Sequence, residues 1–192
     1  MDKTISLLLV GVGGQGTILA AKILSEVAVQ QGLEVKMSEV HGMSQRGGSV
    51  VTFVKFGTKV YSPLVEPGEA DYIVAFEKLE ALRWVHYLKR GGTLVLNDQE
   101  ILPMPVITGA AVYPAKIIED LNNLPISAVT VDALSLAKEC GNIKAANVVL
   151  MGVLAKRTDI PLETWQTAIA HKVPAKFQEL NQLAFTYGYN AG

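Results

Sequence analysis

The chain has 192 residues, 49% of them hydrophobic and only 18% charged, with 17 basic against 18 acidic side chains for a net charge of -1. Such a composition excludes a disordered or fibrous chain, and the length suits a single domain over residues 1–192 whose core removes roughly 70% of the unfolded surface from water. Nucleic acid is not an expected partner, because binding its backbone demands a clustered excess of Lys and Arg.

Ile5 to Val10 is a continuous apolar run ending at a glycine cluster, which predicts a central strand buried on both faces. From Thr17 to Gln31 the residues Ile18, Ala21, Leu24, Val27 and Ala28 recur at helical spacing, and Gly32 supplies the stop. Leu33 to Glu39 reads as a second strand, completing a βαβ unit. Val50 to Phe56 and Lys59 to Tyr61 flank Gly57-Thr58, which predicts a hairpin on the sheet edge. Asp71 to Phe76 is a further buried strand, Lys78 to Lys89 a helix closed by Gly91-Gly92, and Thr93 to Asn97 a strand. Pro103 and Pro105 mark a connection, Lys116 to Leu121 a weak helix, and Ala128 to Val131 a last strand.

Beyond Asp132 the pattern is helical, through Asp132 to Cys140, Ala145 to Lys156, Leu162 to Lys172 and Ala175 to Tyr187. The second of these is apolar on more than one side, so it is deeply buried or covered by a partner. The fold class expected is three-layer α/β, Rossmann-like, with a mostly parallel sheet, an inserted β-hairpin and a helical C-terminal part.

Cys140 is the single cysteine, so neither an internal disulfide nor a cysteine-held zinc or iron-sulfur cluster is expected. MDKTISLLLV lacks the length and cleavage site of a signal peptide, and no apolar run reaches the roughly 20 residues that span a bilayer. A cytoplasmic protein without a membrane partner is the expectation.

The sharpest local feature is Gly11-Val12-Gly13-Gly14-Gln15-Gly16, between a strand and a helix. Glycines let the backbone approach a ligand closely, and a helix start offers free N–H groups to an anion. The pattern satisfies the dinucleotide fingerprint, for which Glu39 is a candidate ribose acid; equally, the glycines could serve only a tight turn and close packing. Gln15 could donate to a ligand or cap its own backbone.

His41-Gly42-Met43-Ser44-Gln45-Arg46-Gly47-Gly48-Ser49 follows the second strand, and in open α/β sheets it should share the carboxyl-end crevice with the glycine turn. His41, Ser44, Gln45 and Arg46 offer a titratable ring, two neutral hydrogen-bonders and a fixed cation; the alternative is a solvated polar loop. Glu77 and Glu80 fit helix N-terminal acids better than a catalytic pair. His86 and His171 read as surface or packed histidines, and Cys140 as a small core residue. The sequence has no Gly-x-x-x-x-Gly-Lys-Ser/Thr, Gly-x-Ser-x-Gly or His-Glu-x-x-His motif, which favours a binding domain or a subunit of something larger.

The runs VGVGGQGTILAAKILSEVA, SEVHGMSQRGGSVV, FGTKVYSPL, GEADYIVAFEKLEALR and KAANVVLMGVLA closely resemble the beta subunit of indolepyruvate ferredoxin oxidoreductases, equivalent to the gamma domain of pyruvate and related 2-oxoacid ferredoxin oxidoreductases. The similarity covers nearly the whole chain, and HGMSQRGGSV is its most specific piece. The resemblance implies a complex that oxidatively decarboxylates an aryl 2-oxoacid such as indolepyruvate, forms acyl-coenzyme A and reduces ferredoxin. It implies a larger alpha subunit carrying thiamine diphosphate, Mg and iron-sulfur clusters, with no metal and no activity on this chain alone. Coenzyme A binding is linked to the gamma domain, so Gly11, Gly13, Gly14, Gln15, Gly16, Ser44, Gln45, Arg46, Gly47 and Gly48 become candidate ligand-binding residues, and His41 and Arg46 candidate catalytic ones. Two other readings of the same residues are a free-standing NAD(P) or FAD oxidoreductase and a non-enzymatic nucleotide-binding scaffold.

Overall fold

The computed structural model describes residues 4–41 and 47–192, with His41 described by its backbone alone. Ile5–Val12 forms β1, buried along almost its whole length, and leads through the glycine turn into helix α1, Thr17–Gln30. Gly32 adopts φ 71 just beyond α1, and the Leu33 N–H reaches back to the Ala28 carbonyl at 3.0 Å, closing the helix end. Glu34–His41 is β2 and Ser49–Gly57 is β3. Ala70–Ala75 (β4), Leu88–Asn97 (β5) and Ser127–Val131 (β6) complete one sheet of order β2-β3-β1-β4-β5-β6 among the described residues.

Strand β3 corrects two expectations. It runs antiparallel to both β1 and β2, with Leu9 opposite Thr52 on one side and Glu39 opposite the same Thr52 on the other. The first two strands are therefore parallel but not neighbours, and the expected βαβ unit has a third strand wedged inside it. The second correction concerns the hairpin: residues 59–61 form no strand, and the antiparallel hairpin is β2 with β3. Side-chain patterning gives the physical reason. Val50, Val51, Phe53, Val54 and Phe56 are all buried, so β3 is apolar on both faces and belongs in the interior. Strand β2 carries Lys36, Ser38 and Glu39 among its apolar residues and is suited to a solvated edge.

Alternate residues of the sheet build two cores. Leu7, Leu9, Val54, Phe56, Val74 and Val95 pack under α1 and the C-terminal helices. Leu8, Val10, Val51, Phe53, Ile73, Leu94 and Leu96 pack under α2, Lys78–Trp84, and α4, Ile117–Asn122. The two helix layers and the sheet between them make the three-layer arrangement. Helix α2 is shorter than its sequence pattern suggests, tightening into a 3-10 turn at Val85–Tyr87 before β5 begins, ahead of Gly91-Gly92. The proline connection holds a single helical turn, α3, Met104–Ile107, with Pro103 at its N-cap.

The C-terminal helices are α5, Ala133–Glu139; α6, Ala146–Ala155; α7, Leu162–Lys172; and α8, Gln178–Ala191. Every residue of α6 from Asn147 to Ala155 is buried, wrapped by α1, α5 and α8, so its all-round apolar surface is core. Helices α6 and α8 touch backbone to backbone: a Cβ built on Gly188 would lie 1.9 Å from the Val149 carbonyl oxygen, and one on Gly152 2.1 Å from that of Phe185. No helix among the described residues is long and apolar enough to cross a membrane.

Candidate functional site

Helix α1 leaves β1 on one face of the sheet and α2 leaves the adjacent β4 on the other, so a crevice opens between the carboxyl ends of these two strands. Into that crevice the sequence places Gln15. Its Oε1 accepts from the Val12 N–H at 2.7 Å, while its Nε2 donates to the Phe76 carbonyl at 2.9 Å and to Gln99 Oε1 at 2.9 Å. Asn97, just beyond on β5, donates to the same Phe76 carbonyl at 3.1 Å. Gln15 is thus a brace between three strand ends, and it also lines the cavity beside α1.

The glycines divide by role. A Cβ on Gly11 would meet Gln15 Oε1 at 2.8 Å and Phe76 Cβ at 3.0 Å, so this position serves packing. Gly16 caps α1 at φ 83, and its absent Cβ leaves room for Asn147 of α6, whose Nδ2 would lie 2.5 Å away and which donates to the Gly16 carbonyl at 3.2 Å. Gly14, at φ +104, has nothing within 4 Å of its would-be Cβ and is open to a ligand. Gly13 meets the second loop: its N–H donates to the Gly48 carbonyl at 2.9 Å, and the Gly47 N–H to the Gly13 carbonyl at 3.4 Å. The glycine turn and the end of the HGMSQRGGS segment therefore share one face. Ser44, Gln45, Arg46 and the His41 side chain lie outside the described residues.

Three cavities surround this junction. One of about 470 Å³ is lined by Gly14, Gln99, Ile143, Lys144 and Asn147, among others, and among the described residues no acid borders it. The uncapped start of α1 borders this space and Lys144 lines it, while the start of α6 continues a 3-10 turn capped by Asn142 and its Val148 N–H is held by Asn147 Oδ1 at 2.9 Å, so one free helix end faces this volume. A second, of about 370 Å³, lies between Gly13, Gly14, Thr17, Ile18 and Glu39. Here Glu39 does share space with the glycine turn, but β3 sets its strand one spacing, about 4.8 Å, further from β1 than a dinucleotide fold requires. The third, of about 420 Å³ on the opposite face, is lined by Gly47, Gly48, Ser49, Glu80, Arg83 and the segment from Ile101 to Pro105.

Glu77 and Glu80 are only 1% and 2% exposed, and each is fully engaged. Glu77 caps α2 by accepting from the Glu80 N–H at 2.9 Å, and its other oxygen accepts from Tyr113 Oη at 2.5 Å and from the Ile101 N–H at 3.2 Å. Burial and the bond to Glu77 hold the Tyr113 phenol protonated well above its usual range. Glu80 accepts from Ser49 Oγ at 2.5 Å and pairs with Arg83 at 2.7 Å. These acids fasten the start of β3 and the α2 cap, as expected of helix N-terminal carboxylates. His86 rests beside Tyr87 at 4.7 Å between ring centroids, and His171 pairs with Glu26 at 2.8 Å.

Residues 6–191 match the pyruvate ferredoxin/flavodoxin oxidoreductase family. The chain belongs to this family. It is 42% identical to the indolepyruvate oxidoreductase subunits IorB of Thermococcus kodakarensis and Pyrococcus horikoshii, over 98% of this chain and 96% of theirs. It is 27% identical to the pyruvate/ketoisovalerate oxidoreductases common subunit gamma of T. kodakarensis, over 94% of this chain and 92% of that one. Among solved structures, the gamma subunit of a keto/oxoacid ferredoxin oxidoreductase from Geobacter sulfurreducens superimposes with a TM-score of 0.74 at 24% identity over 97% of each chain. A 2-oxoglutarate:ferredoxin oxidoreductase from Magnetococcus marinus, with 2-oxoglutarate, coenzyme A and succinyl-CoA bound, gives 0.76 at 20% identity and covers all of this chain but 31% of its own.

The single cysteine of this family member is too few for a cysteine-held cluster. Cys140 is its single cysteine, half-buried beyond α5, and among the described residues no three His, Cys, Asp or Glu side chains are grouped to hold an ion. Sequence reasoning found the glycine turn but missed Asn97, Gln99, Lys144 and Asn147. One signal for Asn147 was available: it is the lone polar side chain in the apolar run AANVVLMGVLA.

Proposed function

We propose that this chain is the small subunit of a 2-oxoacid ferredoxin oxidoreductase acting on indolepyruvate, a cytoplasmic complex whose larger subunit holds thiamine diphosphate, Mg and the iron-sulfur clusters. The observation that carries this reading is the 42% identity to IorB subunits along almost the whole of both chains. Bound on the larger subunit, those groups supply the decarboxylation and the electron path to ferredoxin. This chain's part is to receive coenzyme A. The 470 Å³ cavity offers the N-terminus of α1, Lys144 and the Nε2 of Gln99 to phosphates, with Leu134, Ile143 and Leu150 as apolar wall for the pantetheine arm. Gly14 lets such a ligand approach the backbone.

Adding the chain to its larger subunit should restore indolepyruvate-dependent viologen reduction, whereas ferredoxin or viologen reduction by the chain alone would overturn the reading. Within the complex, Lys144→Glu is expected to raise the KM for coenzyme A about tenfold, the equivalent of one lost helix-end or charge contact, with the KM for the 2-oxoacid unmoved. Arg46→Ala should lower activity with folding intact. Unchanged activity would favour a purely structural loop, and tight NAD binding without any need for a partner would favour a dinucleotide oxidoreductase.

A further inference from the structure

Like the longer uncharged run from Thr4 to Ala21, which is mostly buried in β1 and α1, the chain from Ile101 to Ala115 carries no charged residue. It is nevertheless exposed: Leu102, Met104, Ile107 and Val112 are 47%, 67%, 62% and 90% accessible. Helix α3, at its centre, packs broadly against no other element. An apolar segment of this kind costs solubility unless something covers it.

Both roots of the segment are tied down at one atom. Glu77 Oε1 accepts from the Ile101 N–H at one end and from Tyr113 Oη at the other, and the Tyr113 oxygen in turn accepts from the Leu79 N–H at 3.2 Å. A buried carboxylate thus fixes the base of an exposed apolar prong, a form of preorganisation that lowers the ordering cost of docking. The prong also adjoins the functional face, since Ile101 to Pro105 and Ile107 line the same cavity as Gly47 and Gly48.

We infer that this prong, residues 101–113, is the anchor by which the chain docks onto the larger, cofactor-bearing subunit, inserting Met104 and Ile107 into an uncharged apolar depression there. The inference rests on the proposed reading of the chain as a small subunit. Two observations select this occupant. In the 2-oxoglutarate:ferredoxin oxidoreductase the equivalent fold is 31% of a longer chain, so there the remainder is attached to it covalently, whereas the relatives that match this chain along nearly their whole length are named as subunits, which meet a partner through a surface. The prong is also continuous with the face where the two loops meet, so a subunit seated on it closes over that face and not over a remote one. Cores of such interfaces are depleted in charge and rich in Met and aromatic side chains, which suits this sequence.

The test is titration of the larger subunit with the wild-type chain, with Met104→Asp/Ile107→Asp and with Val112→Arg, reading complex mass by light scattering and viologen reduction. Because the three positions are exposed, thermal stability of the lone chain should not move; Val112, at 90% exposure, serves as the probe that folding does not confound. The expected result is a rise of about 30-fold or more in Kd for the double variant, the size of a lost interface hot spot, with recovery in Met104→Leu/Ile107→Val. An unchanged Kd for both variants overturns the inference. So does a wild-type chain that dimerises alone, with variants that become monomeric yet bind the larger subunit normally, since the prong then covers a second copy. Failure of the wild-type chain to associate at all sinks the functional reading, and this surface with it.

Discussion

Both ends of the Gln15 amide are engaged inside the molecule, and replacing it by Ala would strand the Val12 N–H and weaken the hold on the Phe76 carbonyl. The expected cost is about 1–3 kcal/mol, read as a lower urea midpoint with unchanged slope. Gly16 is less forgiving, because any side chain there meets Asn147 at φ 83. Gly16→Ala should add roughly 1–2 kcal/mol of backbone strain to that clash and shift the start of α1, detected as a loss of stability and a raised KM for coenzyme A. The glycine spacing was legible as a turn at a helix start. Which glycine packs and which stays open was not, since that depends on Asn147, 131 residues away in the chain, and on Phe76.

At the scale of elements, apolar runs and helical spacing marked most strands and helices within a few residues, because burial on one or two faces leaves a periodic trace. Neighbour relations leave no such trace. The pattern VVTFVKF marks a strand but reads as one arm of an edge hairpin, since nothing local says that it lies between β1 and β2, and the Gly57-Thr58 turn signal only ends β3. The α6–α8 crossing is likewise a long-range fact. Gly188→Ala would force the two helices apart and is expected to cost about 3 kcal/mol, visible as a collapse of soluble yield or a much lower unfolding midpoint. A milder tie links α1 and α7, where hydrogen bonds from His171 and then Lys172 pull the Glu26 carboxyl down from 4.5 to about 2. A depressed carboxylate stabilises the fold above its unfolded value and loses that contribution as pH falls from 4.5 toward 2. Glu26→Gln should therefore be less stable than the parent at pH 7, by no more than about 1 kcal/mol for so exposed a pair, and the gap should close across that acid window in urea titrations.

For the molecule as a whole, the family and the fold followed from the sequence, whereas the division of labour with a partner does not reside in one chain. A relative at 27% identity is named as a subunit common to pyruvate and ketoisovalerate oxidoreductases, so in that case a single small chain serves two 2-oxoacids. Under the proposed division of labour, substitutions around the glycine turn here are expected to alter turnover and coenzyme A dependence while leaving the ranking of 2-oxoacids intact. Steady-state comparison of indolepyruvate with phenyl and aliphatic analogues in the complex checks this.

The wedged strand has one more consequence. Because β3 returns antiparallel, the segment joining it to β2 leaves and re-enters the sheet at a single rim, where Gly13 grips one stem and Glu80, through Ser49, grips the other side of it. The first residues of β3 are thus held from both faces of the sheet, so that severing one hold alone, as in Ser49→Ala, should leave the strand seated.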